Sequence, residues 1–300
     1  MKGFAAFVMR GPVQAASVAA AGLMLGYVLP PFAWLSAAVV ALVTLRLGDA
    51  ALARMALPGV AVVALAGLAA FGRPGAVLVG ALAAWLPAIV LARVLRQRAR
   101  LDDTLLVACG LGWLVVAGIH LWLPDPAAAW RELLAALIQP QRMAAELQVS
   151  PEALEQLITR SAPLMTGMLG ASVVLSAVTS VLLARWWQAL LDNPGGFQRE
   201  FHALRLGRVA AATTAVLGAA AALTSSMLVA GLALVALTVY VLQGLAVVHG
   251  VVRRRGMHVA WVAGIYVLGV MLPLQVMVGL VLVGIADAWA DFRGQAAAPD

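Results

Sequence analysis

The sequence predicts an all-α fold: a polytopic transmembrane helical bundle of about eight to ten spans, with N-terminus and C-terminus both cytoplasmic. Three observations carry this reading. The 300 residues are 64% hydrophobic and only 11% charged, where a soluble domain is nearer half apolar and a quarter charged. The apolar residues fall in runs of roughly 17–25, the length that crosses about 30 Å of hydrocarbon. Arginines gather in the short loops between those runs, the pattern that sets membrane orientation. The net charge of +7 is thus a topology signal, and no nucleic-acid partner is expected. The partner implied is the lipid bilayer, crossed many times.

The whole chain, 1–300, reads as one integral membrane domain. The first five spans occupy 12–123. Span 1, at 12–29, ends at Pro30-Pro31, and span 2 follows at 32–46. Span 3 covers 56–72, and Gly72-Arg73-Pro74-Gly75 turns the chain into span 4 at 75–93. Arg93, Arg96, Arg98 and Arg100 make a basic loop. Asp102, Asp103 and Thr104 suit the N-terminus of span 5, where carboxylates and hydroxyls meet free N–H groups.

After Pro124-Asp125-Pro126 the segment 124–160 reads as a pair of outer amphipathic helices. Trp130, Leu133, Leu134 and Leu137 share one face, and Leu154, Leu157 and Ile158 form a second stripe. Ser150-Pro151-Glu152 gives that second helix an N-cap, a first-position Pro and an acidic first turn.

The remaining spans lie within 161–290. Span 6, at 162–185, leads into a cytoplasmic interfacial loop, 185–208. There Trp186 and Trp187 sit at the end of an apolar run, and Asn193-Pro194-Gly195-Gly196 stops the helix. Phe197, Phe201 and Leu204 then recur at i, i+4, i+7 among Arg199, Glu200, His202 and Arg205. That spacing predicts a short helix lying along the membrane surface. Spans 7 and 8 follow at 208–224 and 227–249. Pro273 divides the final apolar run, which favours two short spans, 258–272 and 274–290, over one tilted helix.

The charges test this alternation. With the N-terminus inside, 16 of the 20 basic residues fall on the inner side, leaving Arg73, Arg131, Arg142 and Arg160 outside. Asp125, Glu132, Glu146, Glu152 and Glu155 lie in the outer segment.

The chemistry is defined mostly by what is missing. Lys2 is the only lysine, so there is no phosphate-binding Gly-x-x-x-x-Gly-Lys loop. Cys109 stands alone, and His120, His202, His249 and His258 have no zinc-ligand spacing. No GxSxG elbow occurs. No catalytic, cofactor or metal residue is therefore expected, and the chain is not read as an enzyme. His120, His249 and Asp287 sit near span ends and read as interfacial.

Three groups remain as candidates. Ser172, Ser176, Thr179 and Ser180 lie near one face of span 6; they either face a small polar solute or hydrogen-bond between helices. Trp186, Trp187, Phe197, Phe201 and Arg205 could bind a membrane or cytoplasmic protein partner. Ala15, Ala19, Gly22 and Gly26 give span 1 a smooth face for close helix packing.

Three stretches together resemble the YybS-like family of bacterial membrane proteins, a domain of unknown function. They are Gly22-Tyr27-Pro30-Pro31 in the opening spans, the loop from Arg185-Trp186-Trp187 to Phe201-Leu204-Arg205-Leu206, and the ending Val283-Gly284-Ile285-Ala286-Asp287-Ala288-Trp289-Ala290-Asp291-Phe292-Arg293. That family is thought distantly similar to the substrate-binding membrane subunits of energy-coupling-factor vitamin transporters. The resemblance implies that a small-residue face on the first span docks a partner subunit, with partner ATPases supplying energy; Ala15, Ala19, Gly22 and Gly26 would be that face.

The first functional expectation is accordingly a substrate-binding or permease-like subunit for a small solute that depends on partners for energy. The second is a non-transporting organiser that binds partners through 185–208. A membrane-embedded lipid enzyme comes last, because no acid–base pair is visible.

Overall fold

The computed structural model describes residues 1–72 and 74–294; Arg73, placed in the outer set above, lies outside them. Those residues form fourteen helices. The first half comprises α1 (Lys2–Val8), α2 (Pro12–Gly26), α3 (Pro31–Leu47), α4 (Asp49–Phe71), α5 (Pro74–Arg98) and α6 (Leu101–Trp122). Then come α7 (Pro126–Ile138), α8 (Pro140–Leu147), α9 (Pro151–Asp192) and α10 (Gly196–His202). The chain closes with α11 (Gly207–Leu223), α12 (Met227–Arg254), α13 (Ala260–Met271) and α14 (Pro273–Ala290). Six are long and apolar enough to cross a membrane, or eight if each bent pair, α1–α2 and α10–α11, counts as one span. Backbone polar groups inside such a helix pair with one another, as hydrocarbon demands, except where Pro58, Pro87 and Pro163 remove an N–H from α4, α5 and α9.

Local chemistry sets the boundaries. Pro stands at the first position of α2, α3, α7, α8, α9 and α14, where its missing N–H costs nothing. Asp125 and Ser150 cap α7 and α9 by accepting from the N–H groups of Ala128 and Ala153. Asp102 and Asp103 lie in the first turn of α6, as expected, and also pair with Arg100 and Arg98, while the Thr104 hydroxyl donates to the Arg100 carbonyl.

Three expectations change. The 124–160 segment is α7, α8 and the opening of α9, because the second amphipathic stripe runs without a break into span 6. The result is one helix of 42 residues, about 63 Å long at 1.5 Å per residue. At its other end the helix runs past Trp186 and Trp187 to Asp192, and only Asn193-Pro194-Gly195 stops it. Span 1 stops at Gly26, and α1 precedes it at 116° to α2.

The contacts alternate the helices end to end. Arg46 at the end of α3 pairs with Asp192 at the end of α9. Arg96 of α5 donates to the Thr44 and Leu45 carbonyls. Arg254 at the end of α12 donates to the Arg293 carbonyl beyond α14. These contacts define a basic end of the bundle; α7 and α8 lie at the far end.

The core forms around α3. From Ser36 to Leu45 every residue is buried, under α2, α4, α5 and α9. A helix apolar on all sides fits that position. The smooth face of α2 meets it: a Cβ on Gly26 would lie 2.9 Å from Ala33, and the Ser36 hydroxyl donates to the Ala19 carbonyl at 2.6 Å. Ala15, Ala19 and Gly22 are buried there and Gly26 is half-buried. This face is consumed inside the chain and is not free for a partner subunit, which corrects what the resemblance implied for it. A second close contact joins α12 to α14, where Gly244 faces the Leu280 backbone and Gly284 faces the Tyr240 carbonyl.

Candidate functional site

The expected hairpin, 185–208, forms one side of the largest aromatic feature at the basic end. Leu182, Trp186, Ala189 and Leu190 share a face of α9 and make its first wall. Gly195, at φ +83°, turns the chain back; other residues rarely hold that angle. Phe197 and Phe201 follow one helical turn apart on α10, their rings stacked with centroids 6.0 Å apart. Leu242, Leu245 and His249 of α12 and Tyr266 of α13 complete a groove of about 560 Å³.

Three polar devices hold α10 in place. Arg185 clamps it to α9: its guanidinium makes a bidentate pair with Glu200 and also donates to the Gln188 side chain. Arg293 reaches back from beyond α14 and donates to the His202 and Leu204 carbonyls at 2.8 and 2.7 Å. Asp287 accepts from the same guanidinium at 2.5 Å, and both side chains are 1% exposed. Gln243, buried in α12, accepts from the Leu206 N–H and donates to the Gly284 carbonyl.

Two histidines and a tyrosine supply polarity inside the aromatic walls. His249 Nδ1 lies 2.8 Å from the Leu245 carbonyl. Only an N–H can bond a carbonyl, so Nδ1 carries the proton of the neutral ring. Nε2 then accepts, at 3.4 Å, from the Tyr266 hydroxyl. The Phe201 ring meets His249 edge-on at 5.8 Å, and the His202 ring lies 6.1 Å away. His202 belongs to α10, outside the spanning helices. Burial, then the electrostatic influence of His249 and the positive charges of Arg253, Arg254 and Arg293, hold its imidazole below its ordinary range.

The candidate residues separate clearly. Trp186, Phe197 and Phe201 line the groove, and Arg205 pairs with Asp291 at the same end. Trp187 points the other way, fully buried against Phe4 with ring centroids 5.2 Å apart. It is a core residue, and no partner can reach it. Ser172 and Ser180 donate to the carbonyls of Leu169 and Ser176 in their own helix. With Ser176 and Thr179 half-buried beside them, they do not line this groove.

Sequence reasoning missed four contributors. In the sequence His202 reads only as one polar residue of the surface helix, His249 and Asp287 read as interfacial, and nothing marks Tyr266. Residues 47 positions apart, such as His202 and His249, meet only through the packing of α10 on α12, and no spacing encodes that. The one available signal was the topology, which puts both at the same end.

A second cavity, of about 700 Å³, lies at the far end between α7, α8 and α9, lined by Arg131, Gln139, Gln141, Arg142, Glu155 and Thr159 among others. No three His, Cys, Asp or Glu side chains converge as a metal-ligand set among the described residues.

The fold and its long apolar helices define a multi-pass α-helical membrane protein. No family model, no curated protein and no solved structure matches the chain.

Proposed function

We propose that this chain is a membrane-embedded binding subunit of the bacterial inner membrane whose working site is the groove between α9, α10, α12 and α13. The basic end is placed in the cytoplasm by the excess of arginine there. The observation that carries this reading is a roomy, pre-formed groove with aromatic and aliphatic walls and a few convergent polar groups, the composition of small-ligand sites in general. Its occupant is amphipathic, with an apolar part on Trp186, Phe197, Phe201 and Leu245 and a polar part at His202, His249 and Tyr266. This extends the organiser reading, which drew on the same loop, and fits a subunit without an ATPase motif of its own.

The test is to fill the groove. Leu245→Trp adds an indole within the wall. Native mass spectrometry of the gently extracted wild-type chain is expected to show a retained amphiphile that the variant lacks, while circular dichroism stays unchanged. Retention by both proteins alike would refute the assignment.

One observation favours the solute-subunit reading as well: the polar far-end cavity, formed largely by the 124–160 segment expected to cover a solute site. A metabolite screen for raised melting temperature, repeated with Arg131→Gln, separates the two readings.

A further inference from the structure

The charges around the groove are unequal in a way that specifies its occupant. Between 185–208 and 249–293 the sequence holds eight arginines and four carboxylates. Every carboxylate is already taken: Asp192 by Arg46, Glu200 by Arg185, Asp287 by Arg293 and Asp291 by Arg205. Arg199, Arg208, Arg253, Arg254 and Arg255 are left without an acidic partner among the described residues. Two of these, Arg253 and Arg254, act electrostatically on His202 inside the groove. Both are exposed and stand about one turn beyond the groove residue His249 on α12, and Arg254 also donates to the Arg293 carbonyl.

The walls say where the occupant comes from. Of the groove's four helices, α9 and α12 are spanning helices, and α13 has no buried residue at all. Trp261, Tyr266, Val267 and Val270 of α13 are exposed, so lipid is the medium next to it. The groove is therefore entered from the bilayer at the level where headgroups meet acyl chains. A water-soluble acidic peptide would have to cross that lipid-facing side to reach Leu182 and Leu245.

We propose that the groove binds an anionic phospholipid, its acyl chains against Leu182, Trp186, Phe201 and Leu245 and its phosphate headgroup among His202, Arg253 and Arg254. The inference rests on the binding-subunit reading above and adds the ligand's class to it. Guanidinium groups suit the role because they stay charged and grip phosphate oxygens in pairs. Basic pockets at the cytoplasmic ends of spanning helices commonly take such headgroups.

The experiment uses the full chain in a neutral detergent, titrated separately with phosphatidylglycerol, phosphatidylcholine and inorganic phosphate, with native mass spectrometry and melting temperature as readouts. Phosphatidylglycerol is expected to bind and to raise the melting temperature; the other two are not. Arg253→Gln with Arg254→Gln should weaken phosphatidylglycerol about 30-fold, at about fivefold per arginine near a membrane surface. The matching Arg→Lys pair should recover only part of the affinity, and Arg253→Gln alone, which leaves the Arg254 bond to the Arg293 carbonyl in place, should weaken phosphatidylglycerol about fivefold without shifting the lipid-free melting temperature. Equal binding of phosphatidylcholine would overturn the anionic assignment but leave the groove as an amphiphile site. Protection by phosphate alone would overturn the lipid. Phosphatidylglycerol binding that Leu245→Trp leaves intact would place the lipid elsewhere, and both readings would fall.

Discussion

Removing the carboxylate of Asp287 should cost far more than an apolar helix end suggests. Among the described residues, Asp287 and Arg293 are the one ion pair with both side chains buried, each 1% exposed. In Asp287→Ala the guanidinium keeps only the His202 and Leu204 carbonyls as acceptors. Breaking one side of a buried pair costs about 3–5 kcal/mol, because the remaining charge is stranded. Arg293→Met strands the carboxylate instead and costs about as much. The double variant strands no charge. It loses the donor for one buried carbonyl, that of Leu204, and one partly buried, that of His202, and an unsatisfied buried group costs about 1–3 kcal/mol. Each single substitution should therefore be worse than the double, whereas independent effects would sum to roughly 6–10 kcal/mol. Equilibrium unfolding of the full chain in mixed micelles, titrated with dodecyl sulfate and followed by helicity, measures all four corners of the cycle. Additive effects, or an Asp287→Ala cost below about 1 kcal/mol, would refute the picture of a dry, mutually dependent pair.

Other outcomes are as specific. Alanine at Gly244 would place Cβ 2.0 Å from the Leu280 carbonyl oxygen, and at Gly284 2.6 Å from that of Tyr240; each should cost at least about 1–3 kcal/mol in the same titration. Gly279→Ala, with nothing within 4 Å, should be neutral or gain up to about 1 kcal/mol. The His202 imidazole titrates lower when folded than its free value of 6.5. Its contribution is thus complete above pH 6.5 and lost as pH falls through the folded value. Protection of 196–204 against hydrogen exchange, taken relative to the intrinsic rate at each pH, should fall on acidification, and His202→Phe should flatten that dependence; equal pH profiles would count against it. On a Cys109→Ala background, cysteines at Gln141 and Arg255 should be labelled from opposite faces of the membrane, the latter from the cytoplasm only. Labelling from one face would overturn the topology.

The helices and most of their breaks were legible because Pro and Gly act locally. Pro30-Pro31, Asn193-Pro194-Gly195 and Leu272-Pro273 each interrupt the chain where their backbone chemistry dictates. Length was less legible: Trp186 and Trp187 looked terminal, yet nothing before Asn193 prevents another helical turn. The division of apolar surface between lipid and protein was not legible at all. Hydrophobicity reads the same against an acyl chain as against a neighbouring helix, so α3 gave no sign that it would be enclosed. Trp187 and Trp186 are adjacent and chemically identical, yet one fills the core beside Phe4 and the other lines the groove. Their 100° separation around α9 decides this, but only once the positions of α1 and α10 are known. The pairing of Asp287 with Arg293 spans a helix end where Asp291 takes a left-handed conformation at φ 45°, a reversal that the residue types alone did not announce.

The unusual length of α9 joins regions that sequence treated separately. Ile158 and Thr159 line the far-end cavity, and Leu182, Trp186 and Leu190 line the basic-end groove, on the same uninterrupted helix. The two sites stand about 40 Å apart along one axis at 1.5 Å per residue. A continuous helix transmits tilt and rotation along its length, and only Pro163 weakens its ladder of hydrogen bonds. The far-end cap and the basic-end groove thus share a beam: neither wall can turn without carrying the other with it.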